Sequence, residues 1–437
     1  MKKILLFFVA MSIILSASVI VKGDTQPVPP LFGSKSLPKY NQEMLAVGIG
    51  DVNGSWEGNE VVWDCDGDPS YVFETHGSGN DWVACEIWNK GRDIGYERGL
   101  GIGDVDPRYP GNEIVHGLWN LTVLTYNATI GQWESTMVFD YPYSDSGYKH
   151  SCNHLSIGDF DKMHEGNEIL SVTHMGHIYE TYFDNTTNNW TTNLIDANGV
   201  CWEWCDIGDV NLEHAGNEIV VGGITDPYGD YSLVRVYYEM GGEYINTTVY
   251  DTTNTSIVRS CIFCIIDINS TNNVSEIVAS GPLTVASWNG SGYDVVDMTP
   301  IKYSESDVWV SGLPAVGDIW MGHPGDEIII ARWIYNDSTN IYCEIANLVW
   351  QDAGNLYYKT VYKNENNNML FCIAIGEFDR GHSGIEVAVG GGGGCYELLP
   401  YEQTDETWHG VFIFSAGVVA VVSVWKFRGK FSRHTED

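Results

Sequence analysis

The chain alternates between short apolar runs and polar turn sequences over most of its length. In one representative stretch, the runs at 204–208 and 218–222 are nearly continuous, as expected of strands buried on both faces. The next two runs, 233–238 and 244–250, alternate more regularly, and Gly241-Gly242 supplies a turn between them. Between the two ends of the chain, no stretch has helical periodicity over about ten residues. The pattern predicts an all-β protein built from groups of four short strands.

One loop sequence recurs between the first two strands of each group. It reads Gly-Asp-Val/Phe-Asp/Asn, then four further residues, then Gly-Asn-Glu-Ile/Val-Val/Leu. The clear copies begin at Asp51, Asp104, Asp159 and Asp209, and weaker copies begin at Asp267, Asp318 and Glu377. A glutamate follows nine residues later in each copy: Glu60, Glu113, Glu168, Glu218, Glu276, Glu327 and Glu386. Constant spacing on a period of roughly fifty residues indicates a repeat architecture.

Seven four-stranded antiparallel units without helices predict a seven-bladed β-propeller, because radial repetition protects the strand edges. The alternative is a β-solenoid, whose repeats are usually shorter than these. The last unit is short of strands, and residues 31–44 are positioned to supply its missing outer strand and close the ring.

The repeats "GIGDVDPRYPGNEIV", "GDFDKMHEGNEIL" and "GDVNLEHAGNEIV" resemble FG-GAP/VCBS-type repeats, which also occur in the propeller heads of integrin α-chains. The resemblance covers roughly residues 43–400. It implies the propeller fold but leaves the activity open, because such propellers serve in adhesion, in carbohydrate-active enzymes and as scaffolds.

The two ends of the chain predict export and membrane anchoring. Residues 1–23 have a basic start followed by an apolar run, which is typical of a secretory signal peptide; the alternative is an uncleaved anchor. Residues 408–427 are apolar, are bordered by tryptophans and precede a basic tail at 428–437, which predicts a transmembrane helix with that tail in the cytoplasm. The alternative for this segment is a hydrophobic hairpin. The propeller, residues 24–405, is then an ectodomain of a single-pass cell-surface protein.

Composition agrees with an exterior location. The chain has 58 acidic and 22 basic residues, and such a charge repels nucleic acid, so no nucleic-acid partner is expected. Asn127, Asn185 and Asn289 are candidate glycosylation sites, and each lies where a hairpin turn is expected. The ten cysteines permit up to five disulfides in an exported chain, with connectivity that the sequence does not give.

The recurrent loop is a candidate calcium site, because Ca²⁺ takes six to eight oxygen ligands. In the resembling family, oxygen ligands stand at loop positions 1, 3, 5 and 9. Only the fourth loop keeps a carboxylate at position 5, so its candidate ligands are Asp209, Asn211, Glu213 and Glu218. The closing acid comes one residue late in every copy. The alternative is that these side chains brace a tight turn by accepting backbone N–H bonds.

A second candidate site lies at the end of the ring opposite these loops, where first strands begin and second strands end. The side chains expected to converge there are His150, Cys152, His154, His174 and His177, together with Glu97, Arg98, His116, Trp202, Glu203 and Trp204. By strand alternation, residues 150, 152 and 154 are expected on one face. One interpretation is a transition-metal or catalytic site. Others are a carbohydrate or peptide pocket that stacks on the tryptophans, or a disulfide at Cys152 among ordinary rim histidines.

No nucleophile elbow, zincin helix, P-loop or dinucleotide fingerprint is present in the sequence. The sequence therefore predicts a cell-surface binding, adhesion or scaffold protein that engages an extracellular protein or glycan, with calcium as the candidate cofactor. The alternative is an exported enzyme acting on polysaccharide or peptide through the His/Cys/acid site at the channel mouth.

Overall fold

The structure is a computed structural model of the 437-residue chain. It describes residues 31–37, 44–65, 67–78, 81–93, 99–143, 147, 149–225, 232–252, 262–267, 274–279, 284–297, 307–320, 323, 326–336, 341–352, 355–364, 370–380, 385–391, 394–401, 413–415 and 418–420. Residues 1–401 form one compact unit, and residues 402–437 form a second.

The first unit is a seven-bladed β-propeller, and each blade is a four-stranded antiparallel sheet. The first strand of the chain, β1 (Leu31–Ser36), belongs to the last blade. The strands of the first four blades come after it, and in each blade the innermost strand comes first. They are β2 (Met44–Gly50), β3 (Glu60–Cys65), β4 (Gly67–Ser78) and β5 (Asp81–Asp93) in blade 1; β6 (Gly99–Gly103), β7 (Glu113–Gly117), β8 (Asn120–Asn127) and β9 (Gln132–Asp140) in blade 2; β10 (Cys152–Gly158), β11 (Glu168–Thr173), β12 (His177–Asp184) and β13 (Asn189–Ala197) in blade 3; and β14 (Cys201–Gly208), β15 (Glu218–Ile224), β16 (Ser232–Glu239) and β17 (Tyr244–Asp251) in blade 4.

The remaining blades follow the same order. They consist of β18 (Phe263–Ile266), β19 (Glu276–Ala279), β20 (Thr284–Trp288) and β21 (Tyr293–Asp297) in blade 5; β22 (Asp307–Gly317), β23 (Glu327–Asn336), β24 (Ile341–Asp352) and β25 (Asn355–Asn364) in blade 6; and β26 (Leu370–Gly376), β27 (Glu386–Gly391) and β28 (Gly394–Tyr401) in blade 7, completed by β1. The predicted all-β fold with seven four-stranded blades is confirmed, and the C-terminal transmembrane helix stays a prediction.

Strand β1 closes the ring as the sequence predicted. It pairs antiparallel with β28, from Leu31 opposite Tyr401 to Ser36 opposite Tyr396. The last blade therefore combines residues from both ends of the propeller sequence. Closure of this kind protects the outer edge of β28, which would otherwise present unpaired backbone groups.

The hydrophobic core is divided among the blade interfaces. Within the described residues, seven clusters of buried side chains each combine residues from two neighbouring blades, including the interface between blades 7 and 1. This distribution explains the nearly continuous apolar character of the inner strands, because both faces of each blade are covered by a neighbour.

The glycine of the Gly-Asp motif makes room for the next blade. A Cβ atom added at Gly103 would lie 2.7 Å from Ile157 Cγ2, and one added at Gly376 would lie 2.7 Å from Ile49 Cγ2. Equivalent close approaches to an isoleucine of the following blade occur at Gly50, Gly158, Gly208 and Gly317. A side chain at these positions would press on the facing isoleucine, which would have to shift.

The second unit contains two described strands, β29 (Ile413–Ser415) and β30 (Val418–Ala420), which pair antiparallel. Across the described parts of the chain, no helix has the length and apolar character needed to cross a membrane. The predicted signal peptide at 1–23, the tail at 428–437 and the rest of the predicted anchor at 408–427 lie outside the described residues.

Candidate functional site

The recurrent loop is braced by its buried glutamate. In blade 3, Glu168 Oε2 accepts the N–H groups of Phe160 at 2.9 Å and Asp161 at 3.2 Å, and Asp161 Oδ1 accepts the N–H of Met163 at 2.8 Å. The corresponding glutamates accept the same pair of N–H groups in the loops of five other blades: Glu60, Glu113, Glu218, Glu327 and Glu386. The interpretation of these acids as turn braces is confirmed.

The candidate calcium ligands of blade 4 take part in this bracing. Glu218 Oε2 accepts N–H groups at 2.9 and 3.1 Å, and Asn211 Oδ1 accepts the N–H of Glu213 at 3.0 Å. Asn211 and Glu218 are buried, whereas the side chains of Asp209 and Glu213 are exposed. An ion at this loop would compete with N–H donors for the buried oxygens. Calcium binding here stays a prediction.

Burial changes the acidity of the bracing glutamates. It raises the pKa of Glu60, Glu113, Glu168 and Glu218 to about 7 and that of Glu327 to about 8, although the backbone N–H bonds act in the opposite direction. These carboxyl groups therefore titrate near neutral pH.

The asparagine before each bracing glutamate joins neighbouring blades. Asn112 Nδ2 donates to the carbonyl oxygen of Asp51 at 3.2 Å, and Asn167 Nδ2 donates to that of Asp104 at 3.0 Å. The same bond is made by Asn217 to blade 3 and by Asn59 to Glu377 of blade 7, at 2.8 Å in both cases. This role of the Gly-Asn-Glu sequence was not predicted. It makes the loop end of the ring a connected surface.

Three of the histidines predicted at the opposite end converge. The rings of His150 and His177 lie 4.4 Å apart, and His174 Nδ1 lies 2.8 Å from Ser151 Oγ. Burial lowers the pKa of His150, with contributions from His177 and His174, and burial also lowers the pKa of His177. His150 is buried and the other two are half-buried. In the described part of the chain, these three rings do not form a group of donors close enough to share one metal ion.

Cys152 and His154 do not share a face, contrary to the alternation argument. The pairing register shifts between them, so that Asn153 forms a β-bulge in strand β10. As a result Cys152 points into the core between blades 2 and 3, whereas His154 faces the channel at the centre of the ring. A bulge at the same place in β14 separates Trp202 from Trp204.

The two tryptophans consequently have different surroundings. Trp202 is fully buried between blades 3 and 4, so it is not an exposed platform for a sugar. Trp204 stacks on His154 with ring centroids 3.7 Å apart, and both line a cavity of about 110 Å³ bordered by the innermost strands of six blades. Pockets for drug-sized ligands have volumes of roughly 300–1,000 Å³. The described cavity therefore suits only a few water molecules or one small chemical group.

Two other predicted residues, His116 and Glu203, do not line the described part of this cavity. His116 is buried and places Nε2 3.0 Å from Asp64 Oδ2, and Lys90 Nζ lies 2.5 Å from Asp64 Oδ1. Burial would raise the pKa of Asp64, but the charges of Lys90 and His116 lower it overall. Glu203 accepts a hydrogen bond from the Cys201 thiol at 3.1 Å. Glu97 and Arg98 lie outside the described residues.

The three candidate glycosylation sites lie at hairpin turns, as expected. Asn127 is the last residue of the third strand of its blade, and Asn185 and Asn289 stand between the third and fourth strands of theirs, at the outer rim. Asn185 and Asn289 are exposed, and Asn127 is half-buried, with Nδ2 donating to Glu134 Oε1 at 3.0 Å.

A group of donors in blade 1 was missed at the sequence level. Glu74 and His76 lie on β4 and Cys85 lies on β5, and one potential ligand atom from each lies within 4.8 Å of the others. Within the described residues this is the only group of three such side chains. The sequence did hold a signal, because a two-residue Gly79-Asn80 turn predicts that Glu74 pairs with Cys85.

No family model matches this chain, and no curated protein matches it either. The likeness to FG-GAP/VCBS-type repeats therefore remains a resemblance of motif. The class that the structure defines is the seven-bladed β-propeller.

Proposed function

We propose that this protein is a cell-surface binding propeller that engages an extracellular partner through the Gly-Asp loop end of its ring and is anchored in a membrane by residues 408–427. The observation that supports the proposal is the way the loops at that end of the ring are connected. Its loops are joined from blade to blade by asparagine side chains, and a rigid scaffold that presents loops is a common basis for recognition.

The loops present large apolar side chains to solvent. Trp56, Met163 and Leu212 are 45%, 73% and 57% exposed, and each lies within the Gly-Asp loop of its blade. At the opposite end, His150 is buried, and His174 and His177 are half-buried. Methionine and aromatic side chains are enriched at protein–protein interfaces, so the loop end favours a protein partner over a glycan.

Site-specific photo-crosslinking on intact cells tests this proposal. A photoreactive residue placed at position 163 or 212 of the full-length chain is expected to capture the same partner from the cell exterior. The matched controls are positions 137 and 194, where Met137 and Leu194 are 62% and 53% exposed on the fourth strands of blades 2 and 3.

Capture from the loop positions alone supports the proposal. Equal capture from all four positions, or none from the loops, contradicts it. Failure of a membrane-impermeant amine reagent to label the chain on intact cells contradicts the surface location. Release of sugar or peptide products by the purified full-length chain would instead favour the enzyme interpretation.

A further inference from the structure

The hairpin of β4 and β5 places three different metal-binding groups together. Glu74 and His76 are two residues apart on one strand and therefore share a face, and Cys85 pairs directly with Glu74. His76 Nδ1 lies 3.6 Å from Glu74 Oε1. Trp56, in the Gly-Asp loop of the same blade, stacks on the His76 ring with centroids 3.9 Å apart.

Among the described residues, the imidazole of His76 has no hydrogen-bond partner at either nitrogen. The residue is 6% exposed, and both Nδ1 and Nε2 are buried. Buried polar side-chain atoms are nearly always hydrogen-bonded, so a buried imidazole without hydrogen bonds requires an explanation. Burial lowers the pKa of His76, and nearby Arg380 lowers it further, which favours the neutral form that binds metals.

Glu74 is oriented by a further contact. Asn53 Nδ2 donates to Glu74 Oε1 at 3.0 Å and to Oε2 at 3.3 Å. Burial raises the pKa of Glu74 to about 7, and burial together with Glu74 raises the pKa of the Cys85 thiol.

Blades 2, 3 and 4 show that a blade of this propeller does not require the trio. Strand pairing identifies the positions that correspond to Glu74, His76 and Cys85. They are Val123, Thr125 and Thr136 in blade 2; Glu180, Tyr182 and Asn193 in blade 3; and Val236, Tyr238 and Thr247 in blade 4. Aromatic stacking on the middle position recurs, since His164 stacks on Tyr182 and His214 stacks on Tyr238. Packing alone thus accounts for a ring at position 76, but not for imidazole beside a thiol and a carboxylate.

We propose that Glu74, His76 and Cys85 bind a Zn²⁺ ion in blade 1. Thiolate, imidazole and carboxylate are the three protein ligand types of zinc, at distances of about 2.0–2.3 Å. Such bond lengths put tetrahedral ligand atoms roughly 3.5 Å apart, so side-chain shifts on the order of 1 Å convert the present spacing into a site. A Zn–S bond forms as the Cys85 proton leaves to solvent. Three protein ligands leave a fourth position for water or for a group of a bound partner.

Cobalt(II) substitution tests the site with a readout that does not depend on biological activity. The full-length chain is purified in detergent with a phosphine reductant, freed of metal and titrated with Co²⁺. One equivalent is expected to give a thiolate-to-cobalt charge-transfer band, which one equivalent of Zn²⁺ then abolishes. Cys85→Ser is expected to remove this band. His76→Phe, which keeps a ring under Trp56, is expected to weaken cobalt affinity by at least about 10-fold.

Cys201→Ser is the matched control, because the Cys201 thiol is also half-buried and lies 3.1 Å from a carboxylate oxygen of Glu203. It is expected to leave the band unchanged. Circular dichroism and the urea midpoint of each metal-free variant verify folding. If Cys85→Ser does not fold, melting temperatures provide the test instead. A zinc-dependent rise in melting temperature is then expected in the parent protein and not in His76→Phe. Lack of a charge-transfer band in the parent protein, or a band that survives Cys85→Ser, overturns the proposal.

Discussion

Replacing Glu168 with alanine is expected to destabilise the propeller by about 3 kcal/mol. Glu168 is 1% exposed, and its Oε2 atom accepts the N–H groups of Phe160 and Asp161. A buried donor that loses its acceptor costs about 1–3 kcal/mol, so two such donors cost roughly 2–6 kcal/mol. Removal of a buried carboxyl offsets part of that cost, which places the expected loss in the lower half of the range.

Glu168→Gln separates the loss of the acceptor from the loss of charge. The glutamine keeps a carbonyl oxygen for the two N–H groups, so we expect a much smaller change than with alanine. Burial raises the pKa of Glu168 from 4.5 to about 7. A carboxyl with a raised pKa in the folded state contributes stability that is fully present below pH 4.5 and is lost as the pH rises through about 7. Relative to the parent protein, Glu168→Gln should therefore become more stable as the pH rises from 4.5 to 8.

Urea unfolding followed by tryptophan fluorescence at pH 5 and pH 8 measures both effects, through the midpoint at a constant denaturant slope. Glu165→Ala is the control, because Glu165 is exposed in the same loop and its loss should change stability by less than about 0.5 kcal/mol. If Glu168→Ala unfolds within 0.5 kcal/mol of the parent protein, or if the stability of Glu168→Gln relative to the parent falls with rising pH, the bracing argument is refuted.

Three further variants test other contacts. Asp64→Asn is expected to cost about 3–5 kcal/mol in urea unfolding, because it removes the carboxylate that faces buried Lys90; a loss below 1 kcal/mol would contradict this. Asn167→Ala removes one hydrogen bond between blades and should cost about 1 kcal/mol by the same measurement, whereas a loss above 3 kcal/mol would show a larger role. Deletion of residues 31–36 exposes the edge of β28 and should lower the melting temperature and increase light scattering; an unchanged melting temperature would show that this strand does not stabilise the ring.

The structure brings together only some of the side chains that the sequence predicted at the channel mouth. His150, Cys152 and His154 would share one face if side chains alternated along a regular strand. A single extra residue, Asn153, reverses that alternation and directs Cys152 into the core. Register shifts recur at the corresponding place in β2, β14 and β26, so the bulge belongs to the inner strand of the repeat.

For the three candidate metal ligands of blade 1, the strand pairing could be predicted from the sequence, but the burial of His76 could not. Glu74 and Cys85 are eleven positions apart and carry no metal-binding motif. Their pairing follows from the register of one hairpin, which a two-residue turn predicts. That His76 is buried without hydrogen bonds follows only from packing, because Trp56 reaches it from a loop of the same blade.

The sequence by itself determined the strands, the number of blades, the closing strand and the hairpin turns that carry the candidate glycosylation sites. These features depend on local periodicity, turn chemistry and the repeat spacing, all of which are written along the chain. Only the tertiary structure decided which side chains face the channel, which asparagines join blades and which donors meet. These depend on single-residue shifts in register and on contacts between blades, because a displacement of one residue in a strand turns each of its side chains to the other face.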